Sequence, residues 1–182
     1  MKYKMNIAGL ERELPLCPIT DNLYIAGFIL FGDVELTKAC AENILGRVKP
    51  FDVILTAESK GIPFAYELAR SSGKPYVVAR KGPKLYMQDV EIVEICSSNP
   101  DGVQTLCVGR DEKKLVAGKR VLVVDDVVST GDSLLALETL AKAIGGLVTS
   151  KCAILAEDEA ADRDDIVFIE RLPLFDGEGN PI

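Results

Sequence analysis

A chain of 182 residues with 48% hydrophobic and 27% charged side chains can bury one sizeable core, which excludes the disordered and fibrous classes. Its formal charge of −7 and pI near 4.8 speak against a nucleic-acid partner, which needs a basic stripe, and leave room for a small anion held by local positive charge. The absence of histidine removes Ser-His-Asp and Cys-His nucleophiles and every histidine-bearing metal site, so that carboxylates, lysine, arginine, backbone dipoles or an oxygen-bound hard cation must carry any chemistry.

No run approaches the roughly 18 apolar residues of a membrane span, and Met1-Lys2-Tyr3-Lys4-Met5-Asn6 lacks the apolar core of a signal peptide. No membrane partner is expected, and the expected location is cytoplasmic. The cysteines (Cys17, Cys40, Cys96, Cys107, Cys152) are scattered without metal or redox spacing and read as reduced packing or surface residues. With no internal repeat and no low-complexity divider, residues 1–182 read as a single domain.

In chain order, 35–48 carries Leu36, Ala39, Cys40, Ile44 and Leu45 at helical spacing, with Asp33 placed as its cap. The branched run Val53-Ile54-Leu55-Thr56-Ala57 suits a strand buried on both faces, and a turn at Glu58-Ser59-Lys60-Gly61 leads into a helix over 62–71 that tolerates Pro63 in its first turn. Residues 75–79 read as a second strand and 121–124 as a third. Leu134, Leu137, Ala141 and Ile144 mark a helix ended by Gly145-Gly146, and 147–156 and 166–169 read as further strands. The alternation predicts an α/β fold with a parallel central sheet covered by helices on both faces. Residues 80–114 fit poorly; their turn residues and short alternating segments predict a strand pair or mobile hood.

The chemistry concentrates in Val121-Leu122-Val123-Val124-Asp125-Asp126-Val127-Val128-Ser129-Thr130-Gly131-Asp132-Ser133. A buried strand delivers two adjacent carboxylates to the sheet edge, where open α/β sheets place their ligands. The turn after them suits a phosphate: Ser129, Thr130 and Ser133 supply hydroxyls, Gly131 permits close amides, and the next helix starts with unpaired N–H groups. Carboxylates beside an anion site make sense if the ligand also presents sugar hydroxyls or a hydrated magnesium ion. The bland alternatives are that the pair merely ends a strand, or belongs to a receiver-type acidic cluster; neither explains the Ser-Thr-Gly turn.

This segment resembles the binding motif for 5-phosphoribosyl-1-pyrophosphate (PRPP) in the type I phosphoribosyltransferases, with Asp132 where many relatives have glycine. The resemblance covers roughly 15–175 and is nearest the adenine and xanthine enzymes. It implies a 5′-phosphate site at Val128, Ser129, Thr130, Gly131, Asp132 and Ser133, and Asp125 and Asp126 on the ribose and, through water or ribose, on Mg²⁺. Glu58-Ser59-Lys60-Gly61 resembles the family's pyrophosphate loop, with a non-proline cis bond, and Arg80-Lys81-Gly82-Pro83-Lys84 a family run of cations on the same leaving group. Taken alone, the first is a helix cap and the second a solvated basic turn.

The implied reaction displaces pyrophosphate from PRPP by a purine nitrogen through an oxocarbenium-like transition state, with electrostatic placement doing most of the catalysis. Water must be kept out, which motivates a closing lid over 80–114, and the resemblance implies a hood over 1–32. Glu91 or Glu94 in that lid would handle the proton, unless both are surface charges. The stretch 25–31 resembles the base-contacting hood, with Phe28 and Leu30 as an apolar wall and Asp158 accepting from an exocyclic amine. That combination fits adenine better than an oxopurine. The alternatives are a xanthine or other 6-oxopurine enzyme, and a non-catalytic PRPP-sensing regulator. A homodimer is expected from the resemblance alone.

Overall fold

The computed structural model describes residues 1–96 and 102–182. The chain opens with an antiparallel meander of β1 (Lys2–Ile7), β2 (Leu10–Thr20) and β3 (Leu23–Ala26). Tyr3, Met5 and Ile7 alternate with Lys2, Lys4 and Asn6, and the turn into β2 uses Ala8 and Gly9 at φ 52° and 86°, the left-handed backbone of a primed two-residue hairpin. Helix α1 (Val34–Leu45) is capped as expected by Asp33, whose carboxylate accepts from the Leu36 N–H at 3.0 Å. Strand β4 (Val53–Ala57) is buried at every position; α2 (Ile62–Ser72) carries Pro63 in its first turn, and β5 (Tyr76–Ala79) follows. Then come the hairpin β6 (Glu91–Cys96) and β7 (Val103–Val108), helix α3 (Arg110–Val116), β8 (Arg120–Val124), β9 (Val127–Val128) and α4 (Asp132–Ala143). The chain closes with β10 (Leu147–Cys152), β11 (Leu155–Glu157), a 3-10 turn over Asp158–Asp162, and β12 (Glu170–Leu172).

The central sheet runs β10-β8-β4-β5, all parallel. Successive side chains of a strand point to opposite faces, so Ile54, Leu122 and Val124 pack against Leu36, Cys40 and Ile44 of α1 and Phe64 and Leu68 of α2. Val53, Leu55, Val121 and Val123 pack the other way, with Leu134, Leu137, Leu140 and Ala141 of α4. Each such aliphatic side chain contributes roughly 1.5–3 kcal/mol by leaving water. The α/β fold with its parallel central sheet is therefore the one the alternating pattern predicts. Among the described residues no helix is long and apolar enough to cross a membrane. Cys40, Cys107 and Cys152 are buried free thiols, and Cys17 is exposed.

Three expectations need correction. The strand expected over 147–156 is broken into β10 and β11, because at Ala153 and Ile154 the chain leaves the central sheet: the N–H groups of Ile154 and Leu155 both donate to Asp126 O, at 3.0 and 3.1 Å. The strand expected over 166–169 lies instead at β12. Beside the end of β10 only Val167 finds a partner, in a single bridge to Cys152, and regular pairing begins where β12 meets β11. Third, α3 falls where only strands and turns were expected; Glu112 reaches back to the Gly109 N–H at 3.0 Å to start it. The hairpin β6–β7 is the expected strand pair, and its predicted turn lies, but for Gly102, outside the described residues.

Candidate active site

Strands β8 and β10 leave the central sheet together, Val124 beside Cys152, and continue as β9 and β11, which pair in a second small sheet with β12. Asp125 and Asp126 occupy that step. The Asp125 N–H donates to Cys152 O at 3.0 Å, and Asp125 Oδ1 accepts from the Asp126 N–H at 2.9 Å. These bonds, with those to Asp126 O, fix both residues by their backbone. Asp126 is buried, 6% exposed, and Asp125 is half-buried in the cleft floor. Burial first, and the neighbouring Asp126 second, raise the Asp125 carboxyl above the usual carboxylate range, while Lys60 pulls it down.

The turn between β9 and α4 encloses a concavity of about 60 Å³ lined by Asp125, Val127, Val128, Ser129, Thr130, Gly131, Asp132, Ser133 and Leu134. Gly131 is the N-terminal cap of α4 at φ 85°, where any Cβ would be strained and would crowd the Arg163 guanidinium. The start of α4, where the Asp132 N–H donates to Thr130 Oγ1 at 3.4 Å, thus faces a polar recess, and helix starts are places that favour anions.

The second turn follows β4, with a cis peptide between Glu58 and Ser59. Glu58 grips the third segment: its carboxylate accepts from the Lys81 N–H at 2.7 Å and from the Arg80 guanidinium at 3.1 Å. The Lys81 amide, and then Arg80, hold its pKa below the usual range despite partial burial. Gly61 caps α2 with ordinary backbone, φ −72°, and its glycine is required by space: a Cβ would lie 2.5 Å from Thr56 Oγ1 and 3.4 Å from Asp125 Oδ1. Its absence lets the start of α2 settle onto the acidic floor.

These parts surround one cleft of about 410 Å³. Of the predicted site residues, Phe28, Glu58, Ser59, Lys60, Lys81, Asp125, Asp126, Ser129 and Ser133 line it, and Val128, Thr130, Gly131 and Asp132 line the adjoining recess. Gly61 lies under its floor. Arg80 stands behind Glu58, bonded also to the Tyr86 hydroxyl at 3.2 Å, and Lys84 is on the exposed loop beyond. Leu30 lies outside the cleft, 1% exposed in the core, and Asp158 lies outside it too, exposed where β11 gives way to the 3-10 turn. Glu91 and Glu94 on β6 do not line it either. Sequence reasoning missed Gln104, Glu157 and Leu172, which do. Glu157 is half-buried at the end of β11, its carboxyl raised by burial and by Asp158.

A family model described as "Phosphoribosyl transferase domain" matches residues 35–171. The chain belongs to this phosphoribosyltransferase family. An adenine phosphoribosyltransferase of Kosmotoga olearia is 29% identical over 147 residues, covering 80% of this chain and 84% of that protein. A hypoxanthine/guanine phosphoribosyltransferase of Methanosarcina barkeri is 35% identical over 115 residues, covering 62% of this chain; the chain spans 57% of that relative's length. Among solved structures, the adenine phosphoribosyltransferase of Thermoanaerobacter pseudethanolicus superposes with a TM-score of 0.67 at 23% identity, covering 94% of this chain and 96% of that one. The fold is thus the type I phosphoribosyltransferase fold, and the match to the family model contains both turns and the acidic step.

Proposed function

We propose that this protein is a purine phosphoribosyltransferase acting on adenine. The observation that carries the proposal is the convergence, in one cleft, of an amide-rich anion recess, two adjacent carboxylates and an apolar wall made by Ile25, Phe28, Val127 and Leu172. The recess suits the 5′-phosphate of PRPP, the carboxylates suit its ribose hydroxyls, and Ser59, Lys60 and Lys81 suit the departing pyrophosphate. The bond between C1′ and the pyrophosphate oxygen breaks with its electron pair going to oxygen, a purine ring nitrogen forms the new bond to C1′, and the ring N–H proton is lost to water. Asp125 and Asp126 face the sugar as it gains positive charge, and Lys60 and Lys81 face the leaving group as it gains negative charge.

Among the described residues no group of three or more His, Cys, Asp or Glu could hold a metal ion by itself. Two adjacent carboxylates fit an ion such as Mg²⁺ that keeps several waters and takes further oxygens from a substrate phosphate. When bound, it would neutralise charge on the pyrophosphate. Asp125 and Asp126 would hold it through water or ribose.

The base is argued from the wall. Apolar side chains in the same cleft as the half-buried carboxyl of Glu157 suit a purine carrying an exocyclic amine, and Glu157 takes the part first given to Asp158 one residue later. The names of the relatives include both adenine and hypoxanthine/guanine enzymes, so the test is a direct one. Pyrophosphate release from PRPP and Mg²⁺ is measured with adenine, hypoxanthine, guanine, xanthine, uracil and orotate. A kcat/KM highest for adenine is expected; preference for an oxopurine overturns the base assignment, and binding of PRPP with no turnover on any base overturns the enzyme.

A further inference from the structure

The hairpin β6–β7 packs across α4, and among its described residues one lines the cleft: Gln104 on β7. Its carboxamide N–H donates to Ser133 Oγ at 3.2 Å. Ser133 stands in the first turn of α4 and lines both the cleft and the recess beside Gly131. A serine hydroxyl has one proton to give and two lone pairs to receive with. With one lone pair engaged by Gln104, the proton is turned away from the hairpin and toward the recess that Ser133 lines. A hydroxyl that accepts one bond while donating another is also the better donor, because chained hydrogen bonds polarise each other.

We propose that Gln104 is a positioning residue for the 5′-phosphate: by donating to Ser133 Oγ it directs the Ser133 proton into the recess and ties the hairpin to the recess's occupant. The inference rests on the proposed reading of that recess. A merely structural bond would pin the hairpin equally well in either direction. A directing bond depends on Gln104 being a donor, and it works only while Ser133 is present.

The experiment is titration calorimetry with PRPP and Mg²⁺, and separately with pyrophosphate and Mg²⁺. The proteins are the wild type, Gln104→Leu, Gln104→Glu, Ser133→Ala and the Gln104→Leu/Ser133→Ala double variant, each first checked by its melting curve. Gln104→Leu is expected to weaken PRPP about fivefold, the size of one ordinary hydrogen bond. Gln104→Glu weakens it further, since a carboxylate can only accept and so draws the Ser133 proton to itself. Pyrophosphate affinity stays unchanged in both, and Gln104→Leu has no further effect once Ser133 is alanine. Wild-type affinity for PRPP in Gln104→Leu, equal losses for PRPP and pyrophosphate, or an undiminished loss in the Ser133→Ala background each overturns the proposal. Should Gln104→Leu fail to fold, Gln104→Met, which also lacks the donor, takes its place. No PRPP heat from the wild type overturns the functional reading and this inference with it; wild-type binding with unaffected variants overturns the inference alone.

Discussion

Asp125 keeps its proton more tightly in the folded protein than in the unfolded chain, because burial and the adjacent Asp126 both disfavour its charge. Folding therefore takes up a proton above the ordinary carboxylate value of about 4, and stability falls as pH rises through the interval up to the raised value. Asp125→Asn abolishes that penalty. In melting experiments without ligand, the variant should gain on the wild type as pH rises from about 4 to neutrality, by about 1.4 kcal/mol for each pH unit separating the folded and unfolded values, or roughly 3–6 °C at this size. A constant difference across that range would show that the carboxyl is not held protonated. Gly61→Ala should act by crowding: its Cβ, 2.5 Å from Thr56 Oγ1, must displace either β4 or the start of α2, at about 1–3 kcal/mol in chemical denaturation and with weakened PRPP binding. The acidic pair and the Ser-Thr-Gly turn were readable because they are contiguous and each residue type has a local reason to be there. Glu157 was not, because the choice between it and Asp158 depends on where β11 ends, and a one-residue offset in a strand reverses the face a side chain takes. Gln104 gave no signal at all; an amide in an alternating strand is ordinary until the opposing Ser133 is seen.

The hairpin β6–β7 turns Val93 and Ile95 inward against the α4 side of the core and Ile92 and Glu94 outward. Neither Glu91 nor Glu94 lines the cleft, so a catalytic part for either requires the hairpin to shift toward the ligand. Amide hydrogen exchange should report it: β6 and β7 gain protection when PRPP, Mg²⁺ and adenine are added together, while α1 and β4 stay constant. Unchanged exchange in the hairpin would leave both carboxylates as surface charges and remove the lid. The regular elements of the central sheet were readable for a general reason: a strand buried on both faces and an amphipathic helix each carry an unambiguous period. The other elements were harder because their stability is not written locally. Helix α3 is short and buries only Val116, and the split between β10 and β11 is imposed by bonds that Asp126 O, far away in sequence, accepts from Ile154 and Leu155. The meander β1–β3 does alternate, yet part of what it packs against comes from the opposite end of the chain.

That opposite end is Phe175, fully buried, with its ring edge-on to Tyr3 at a centroid distance of 4.8 Å. Its backbone exchanges two hydrogen bonds with Tyr24, at 2.8 and 3.0 Å, and so extends the sheet edge at β3, from which Ile25, Ala26, Gly27 and Phe28 proceed directly into the cleft wall. The wall proposed to face the base is thus anchored near the end of the chain, whereas the proposed anion recess belongs to the turn between β9 and α4. Phe175→Ala should cost about 3–5 kcal/mol in denaturant titration and, under conditions where the variant stays folded, raise KM for the base more than KM for PRPP. Equal changes in both would mean that wall and recess act as one rigid piece. Protein synthesis gives this arrangement a temporal order. Translation adds about 5–20 residues per second from the N-terminus. The turn between β9 and α4 leaves the ribosome before Phe175, so the segment carrying the proposed anion recess is synthesised before the segment that completes the wall proposed to face the base.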